Sequence, residues 1–190
     1  MRRVCCITLL VISGVVFAVS SPVAAAAKPV SAEKWAGSVC SALATWQKAL
    51  IARRDATVVA TVPSVEQRVL TAYLTGMAKS TRALEVRLAR SGNPKVAHGK
   101  ELAGALRTAF ADARRAFLGA KEQVGALDTS SSDAFTQGVT DVQQEVSDGV
   151  AAAHQALAEA STTYPSPSLA TALSTAAACG RLSSTVDPPQ

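Results

Sequence analysis

The side chains that carry most enzyme chemistry are sparse in this chain of 190 residues. His98 and His154 are its two histidines, and neither stands in a His-Glu-x-x-His motif. Neither has a second histidine or cysteine at helical spacing, which a metal held on one helix face requires. A di-metal bundle would need glutamate at position 95 or 151, three residues before a histidine. Lys95 and Ala151 stand there. Serines are numerous, but the chain has no Gly-x-Ser-x-Gly elbow, no Gly-rich phosphate loop and no dinucleotide fingerprint. Carboxylate pairs such as Glu145 and Asp148 fall on polar helix faces, where solvation accounts for them. The expectation is a non-enzymatic protein with no catalytic residues, no metal and no cofactor.

The remaining reactive groups are thiols, and their meaning depends on the N-terminus. Arg2 and Arg3 precede an almost unbroken apolar run from Val4 to Val19. Ser20-Ser21-Pro22 breaks the run, and Ala24 to Ala27 supply small residues. This is the pattern of a secretory leader. Cleavage is expected after Ala27, with Ala26 as the alternative. A retained anchor is the other reading, but the run is shorter than the roughly 20 residues a spanning helix needs. No cysteine follows the small residues, so lipid attachment there has no nucleophile. The product is expected outside the cytoplasmic membrane, secreted or associated with the envelope, with no spanning segment left.

Cys5 and Cys6 leave with the leader, so Cys40 and Cys179 remain. In an oxidising compartment two such cysteines usually pair. A bridge between them would close most of the chain into one loop, worth on the order of 5 kcal/mol at most by loop entropy. The alternatives are an intermolecular bridge or free thiols. No Cys-x-x-Cys spacing points to redox chemistry.

Charge is the next signal. Residues 28–121 hold 16 basic and 6 acidic side chains, and residues 122–190 hold one basic and 8 acidic. Arg68, Lys79 and Arg90 recur every eleven residues, and Lys100, Arg107, Arg114 and Lys121 every seven. Each set falls on one helical stripe beside or opposite the apolar one. Such faces suit an anionic cell-envelope component, such as acidic headgroups or wall polymers, or an acidic protein. The other reading is a solvated surface, screened by an acidic helix through Glu145, Asp148 and Glu159. Nucleic acid is not expected as a partner of an exported chain.

The elements that must position these groups are helices. Alanine is abundant and aromatic content is only 4%, which favours close helix packing over sheet. Ser31 can cap a first helix with the stripe Trp35, Val39, Ala42 or Leu43, Trp46 and Leu50. The segment Thr57 to Val62 reads as an extended connection, ended by Pro63. Ser64 and Gln67 read as the capping box of a second helix, with Val65, Val69, Tyr73, Gly76 or Met77, Leu84 and Leu88 inward. Gly92 suits a left-handed helix end, and Asn93-Pro94 would start a third helix at once. That helix runs to Leu127 with Ala103, Leu106, Phe110, Ala113, Phe117, Ala120 and Val124 on its seam. Ser132 or Asp133 caps a fourth helix, striped by Phe135, Val139, Val142, Val146, Ala153 and Leu157. Pro165 ends it, and Ser166-Pro167 begins a short fifth helix that carries Cys179 at its end.

The expected fold is therefore all-α: an up-down-up-down four-helix bundle whose short fifth helix is stapled to the first by the disulfide. Residues 1–27 form the leader, 28–185 the helical domain and 186–190 a tail without fixed structure. Trp35 and Trp46, about three turns apart, share one face. With Tyr73 they could wall a small-ligand pocket, or they could be ordinary core.

Trp35-x4-Cys40-x2-Leu43-x2-Trp46 and Ala178-Cys179-Gly180-x-Leu182 resemble small secreted or lipid-anchored helical proteins of actinobacteria. The alanine, valine and arginine bias agrees with that. The resemblance implies a helical exported protein and brings no catalytic residues with it. This chain departs from the lipid-anchored members in lacking their lipid-bearing cysteine. The reading that follows is an exported binding protein, with a ligand-sensing bundle as the alternative.

Overall fold

A computed structural model describes residues 29–55 and 62–184. The leader, the stretch 56–61 that holds most of the expected extended connection, and the C-terminal tail lie outside the described residues. The order is β1 (Pro29–Val30), α1 (Ala32–Asp55), α2 (Pro63–Arg90), β2 (Asn93–Pro94), α3 (Gly99–Ala126), α4 (Ser132–Thr163), α5 (Pro167–Thr175) and α6 (Ala177–Ser184). The broadest packing is of α2 on α3 and of α3 on α4. On its other side α1 packs against α2, α5 and α6.

Two apolar cores run along this stack. The first joins Trp35, Ala36, Val39 and Ala42 of α1 to Leu84 and Leu88 of α2, Ala103 of α3, and Leu169 and Ala172 of α5. The second joins Leu74, Met77 and Ala78 of α2 to Phe117, Ala120 and Val124 of α3 and Val142 of α4. Helix α3 thus serves both cores, one at each end. Much of the buried surface is alanine. An alanine contributes roughly one methyl group, about 0.8 kcal/mol, against about 1.5–3 for a buried leucine or phenylalanine. A core of this kind gains from covalent help.

The disulfide supplies it. Cys40 and Cys179 are bonded, with Cα atoms 5.0 Å apart and a separation of 139 positions in sequence. The bond joins buried Cys40 of α1 to α6.

Several local expectations are corrected. The start of α3 moves from Pro94 to Gly99. Proline forces the preceding Asn93 toward extended backbone, and the extended pair finds a partner. Pro29–Val30 lies parallel to Asn93–Pro94, and the Lys95 N–H donates to the Val30 carbonyl at 2.6 Å. The all-helical expectation therefore needs this one two-residue ladder added. His98 then turns the chain into α3 in the left-handed conformation, φ 54°. A Cβ on Gly99 would collide with the Pro94 carbonyl, so glycine is required at that close approach.

The Ser64–Gln67 capping box does not form. Pro63 takes the first helical position after Val62, and no side chain caps this end. Gln67 is used elsewhere, as described below. The inward face of α2 also shifts, with Val65 exposed and Leu74 and Ala78 buried. Helix α4 is capped one residue earlier than expected, by Ser131, whose Oγ accepts from the Ala134 N–H at 3.3 Å. The expected fifth helix is two. Extended backbone at Ala176, ψ 117°, separates α5 from α6. This lets both short helices lie on α1. The Ser31 cap of α1 does form, accepting from the Lys34 N–H at 3.3 Å. Gly92 is left-handed as expected, φ 74°.

Among the described residues no helix is long and apolar enough to cross a membrane.

Candidate functional site: a basic surface and a polar groove

The two tryptophans lie in the first core, on α1. Trp35 is 5% exposed, and its indole N–H donates to the Gly92 carbonyl at 3.1 Å. Trp46 is half-buried, packs edge-on against Phe110 with ring centres 5.3 Å apart, and donates to Thr81 Oγ1 at 3.1 Å. Thr81 in turn donates to the Met77 carbonyl at 3.0 Å. It is wholly buried, and these two bonds satisfy its hydroxyl. Tyr73 packs on the second core, away from the tryptophans. Two of the three aromatics share a cluster, and the third does not join them.

His98 is exposed at the start of α3 and stacks on Tyr164, ring centres 5.1 Å apart. His154 lies on α4. Among the described residues no group of three His, Cys, Asp or Glu side chains is placed to hold a metal ion.

The basic residues divide by partner. Arg114 of α3 reaches Glu85 of α2 at 2.7 Å, and Arg82 meets the other oxygen of the same carboxylate at 2.8 Å. Glu85 is only 11% exposed, so this bridge is a structural tie between α2 and α3. Arg107 donates to Asn93 Oδ1 at 3.4 Å, beside the short ladder. Arg68, Lys79, Arg90 and Lys100 are exposed and Lys121 is half-buried. None of these five makes an ion pair among the described residues.

Among the described residues no carboxylate of α4 forms an ion pair with them. Asp141, Glu145, Asp148 and Glu159 of α4 are exposed. They accept from Gln137, Gln123, Gln144 and Gln155 at 2.6–2.9 Å. Neutral amides, not the cations of α3, satisfy these carboxylates. The molecule thus keeps an acidic face on α4 and a basic surface on α2 and α3.

A groove between α1 and α2 was not legible as a unit in the sequence. Ser38, Ser41 and Thr45 of α1 face Arg87, Arg90 and Ser91 across an open space of about 400 Å³. Further along, Trp46, Ala49, Ala83 and Leu84 line a narrower cleft of about 100 Å³. The two spaces share Ala42, Thr45 and Arg87, so they adjoin along the helix pair. No carboxylate lines either part. Helical spacing explains the set: positions 38, 41 and 45 lie on one face of α1, and 87, 90 and 91 on one face of α2. Arg87 was passed over because the eleven-residue spacing picks out Arg90 and not its neighbour one turn back.

One carboxylate is perturbed by its own turn. Asp128 accepts from the Ser130 N–H at 2.8 Å and from the Ser130 hydroxyl at 2.9 Å. The backbone bond first, and the hydroxyl second, hold its pKa below 3.8 against a small opposing effect of burial.

Comparison with protein-family models gives no match, and comparisons with curated proteins and with solved structures give none either.

Proposed function

We propose that this chain is an exported, non-enzymatic helical protein that binds an anionic component of the cell envelope through the basic surface of α2 and α3. Residues 1–27 act as the leader, and the product stays outside the cytoplasmic membrane. The observation that carries the reading is that, among the described residues, no carboxylate of α4 is ion-paired with a cation of α2 or α3. The carboxylates of α4 are held by glutamines, while Lys79, Arg90, Lys100 and Lys121 keep their charge available. Unpaired like charges on one surface raise its potential and attract polyanions over about a Debye length. The scaffold is read as an up-down-up-down bundle of α1 to α4 with α5 and α6 stapled to α1. Gly149 backing onto Ala116 and His98 stacking on Tyr164 support that reading.

The test is a pull-down with anionic envelope polymer at rising salt, comparing the native chain with Lys100→Ala and Lys121→Ala. The expected result is retention that falls with salt and with each substitution. Retention indifferent to both would sink the proposal.

A further inference from the structure

The groove between α1 and α2 has a more specific chemistry than the surface around it. Arg87 and Arg90 lie one turn apart, and neither guanidinium has a partner among the described residues. Two planar forks on one wall suit a carboxylate or phosphate, which they can grip bidentately. The opposite requirement comes from the hydroxyls. Thr45 spends its O–H on the Ser41 carbonyl at 2.9 Å, and Ser91 spends its own on the Arg87 carbonyl at 3.0 Å. Both oxygens therefore face the groove as acceptors only. Ser38 and Ser41 make no side-chain hydrogen bond among the described residues, so each can donate or accept. A complementary ligand carries an anionic group and, beside it, O–H donors.

We infer that this groove is a binding site for an acidic saccharide, with the carboxylate or phosphate on Arg87 and Arg90 and the ring hydroxyls on Thr45, Ser91, Ser38 and Ser41. The shape agrees. The space is open along the helix pair, which lets a chain of sugars enter and leave. An enclosed cavity would admit only a single small molecule. In the adjoining cleft half-buried Trp46 offers an apolar surface for the carbon face of a ring. The hydroxyl wall is built from short side chains on two helices, so little conformational freedom is lost on binding. The inference rests on the anion-binding reading above and narrows it to one place and one ligand class.

The experiment is calorimetric titration of the chain expressed from residue 1 and purified with Cys40–Cys179 intact. The probes are an oligogalacturonate, a sugar-phosphate oligomer, a neutral malto-oligosaccharide and inorganic phosphate. The first two distinguish a carboxylate source from a phosphate source, and binding of either supports the site. Arg87→Gln and Arg90→Gln are each expected to weaken that binding by about tenfold, the loss of a charge-assisted hydrogen bond. Ser41→Ala should weaken the saccharide by about threefold, within the range of one neutral hydrogen bond. Arg115→Gln, on α3 and already paired with Asp112, should leave it unchanged. If either arginine variant fails to fold, Arg87→Lys and Arg90→Lys keep helix and charge but lose the fork, and the same loss is expected. The inference is overturned if neither acidic probe binds, if the neutral saccharide or bare phosphate binds as tightly, or if Arg115→Gln costs as much as the Arg87 and Arg90 changes. A loss with Lys100→Ala and none with Arg87→Gln would overturn the groove and leave the broader surface standing.

Discussion

The indole N–H of Trp35 donates to the carbonyl of Gly92, 3.1 Å away and 57 positions along the chain. The bond ties the first turn of α1 to the turn that ends α2, where Gly92 is left-handed. It also holds the neighbourhood of the short β1–β2 ladder. Trp35→Phe keeps most of the ring but leaves a carbonyl in a buried turn without its donor. The expected cost is about 1–3 kcal/mol, read as a lower urea midpoint with an unchanged slope. An unchanged midpoint would mean that water replaces the indole there.

Gln67 shows how a local signal can be spent at long range. Its side-chain amide donates to the carbonyls of Val124 and Leu127, both at 3.0 Å, and of Gly125 at 3.3 Å. These carbonyls lie at the C-terminal end of α3, where the helix dipole is negative, and that of Val124 also accepts from the Leu127 N–H at 3.3 Å. Gln67→Ala should cost about 1 kcal/mol. Gln67→Glu should cost more at neutral pH, because it sets a carboxylate against three carbonyl oxygens. That variant should regain stability as pH falls, since its folded pKa is raised and protonation restores a donor. Chemical denaturation at two pH values checks both.

The disulfide should carry a large share of the stability. Cys40→Ser with Cys179→Ser is expected to cost about 3–5 kcal/mol by loop entropy. The loss should be uneven. Helices α5 and α6 pack chiefly on α1, so their amides should lose hydrogen-exchange protection first. Equal loss across α2 and α3 would contradict this.

The turn between α3 and α4 should respond to acid. The folded pKa of Asp128 lies below its usual 3.8, so its ionised form favours the folded turn. That contribution is full above the usual carboxylate range and is lost as pH falls through the lowered folded value. The Ser130 amide shift, followed by NMR, should titrate with a midpoint below 3.8. Asp128→Asn should abolish the titration, and a midpoint at or above the usual value would contradict the hydrogen-bond account.

How far the sequence carried these features depends on their range. The stripes on α1, α3 and α4 were legible, because Val39, Ala42, Phe117, Val124, Phe135 and Val142 follow the helical period and are buried. The pairing of Cys40 with Cys179 was legible by elimination. The start of α3 was not, because its rival was a strand partner more than sixty residues upstream at Pro29–Val30. The role of Glu85 was hidden for the same reason. It lies on α2, and its partner Arg114 was counted among the free cations until α3 packed against it. The groove needed two helix faces to meet before scattered serines acquired a common purpose.

The central claim is that the basic surface binds an anionic envelope component because α4 leaves it unneutralised. The direct measurement is the dissociation constant of the disulfide-intact chain for an anionic wall polymer, taken across a salt series for the native protein and for Lys100→Ala with Lys121→Ala. The account predicts measurable binding at low salt that weakens steadily as salt rises, and a clear loss in the double variant with its helical content intact. Binding that is flat in salt and equal in both proteins, or no binding at all, would contradict it.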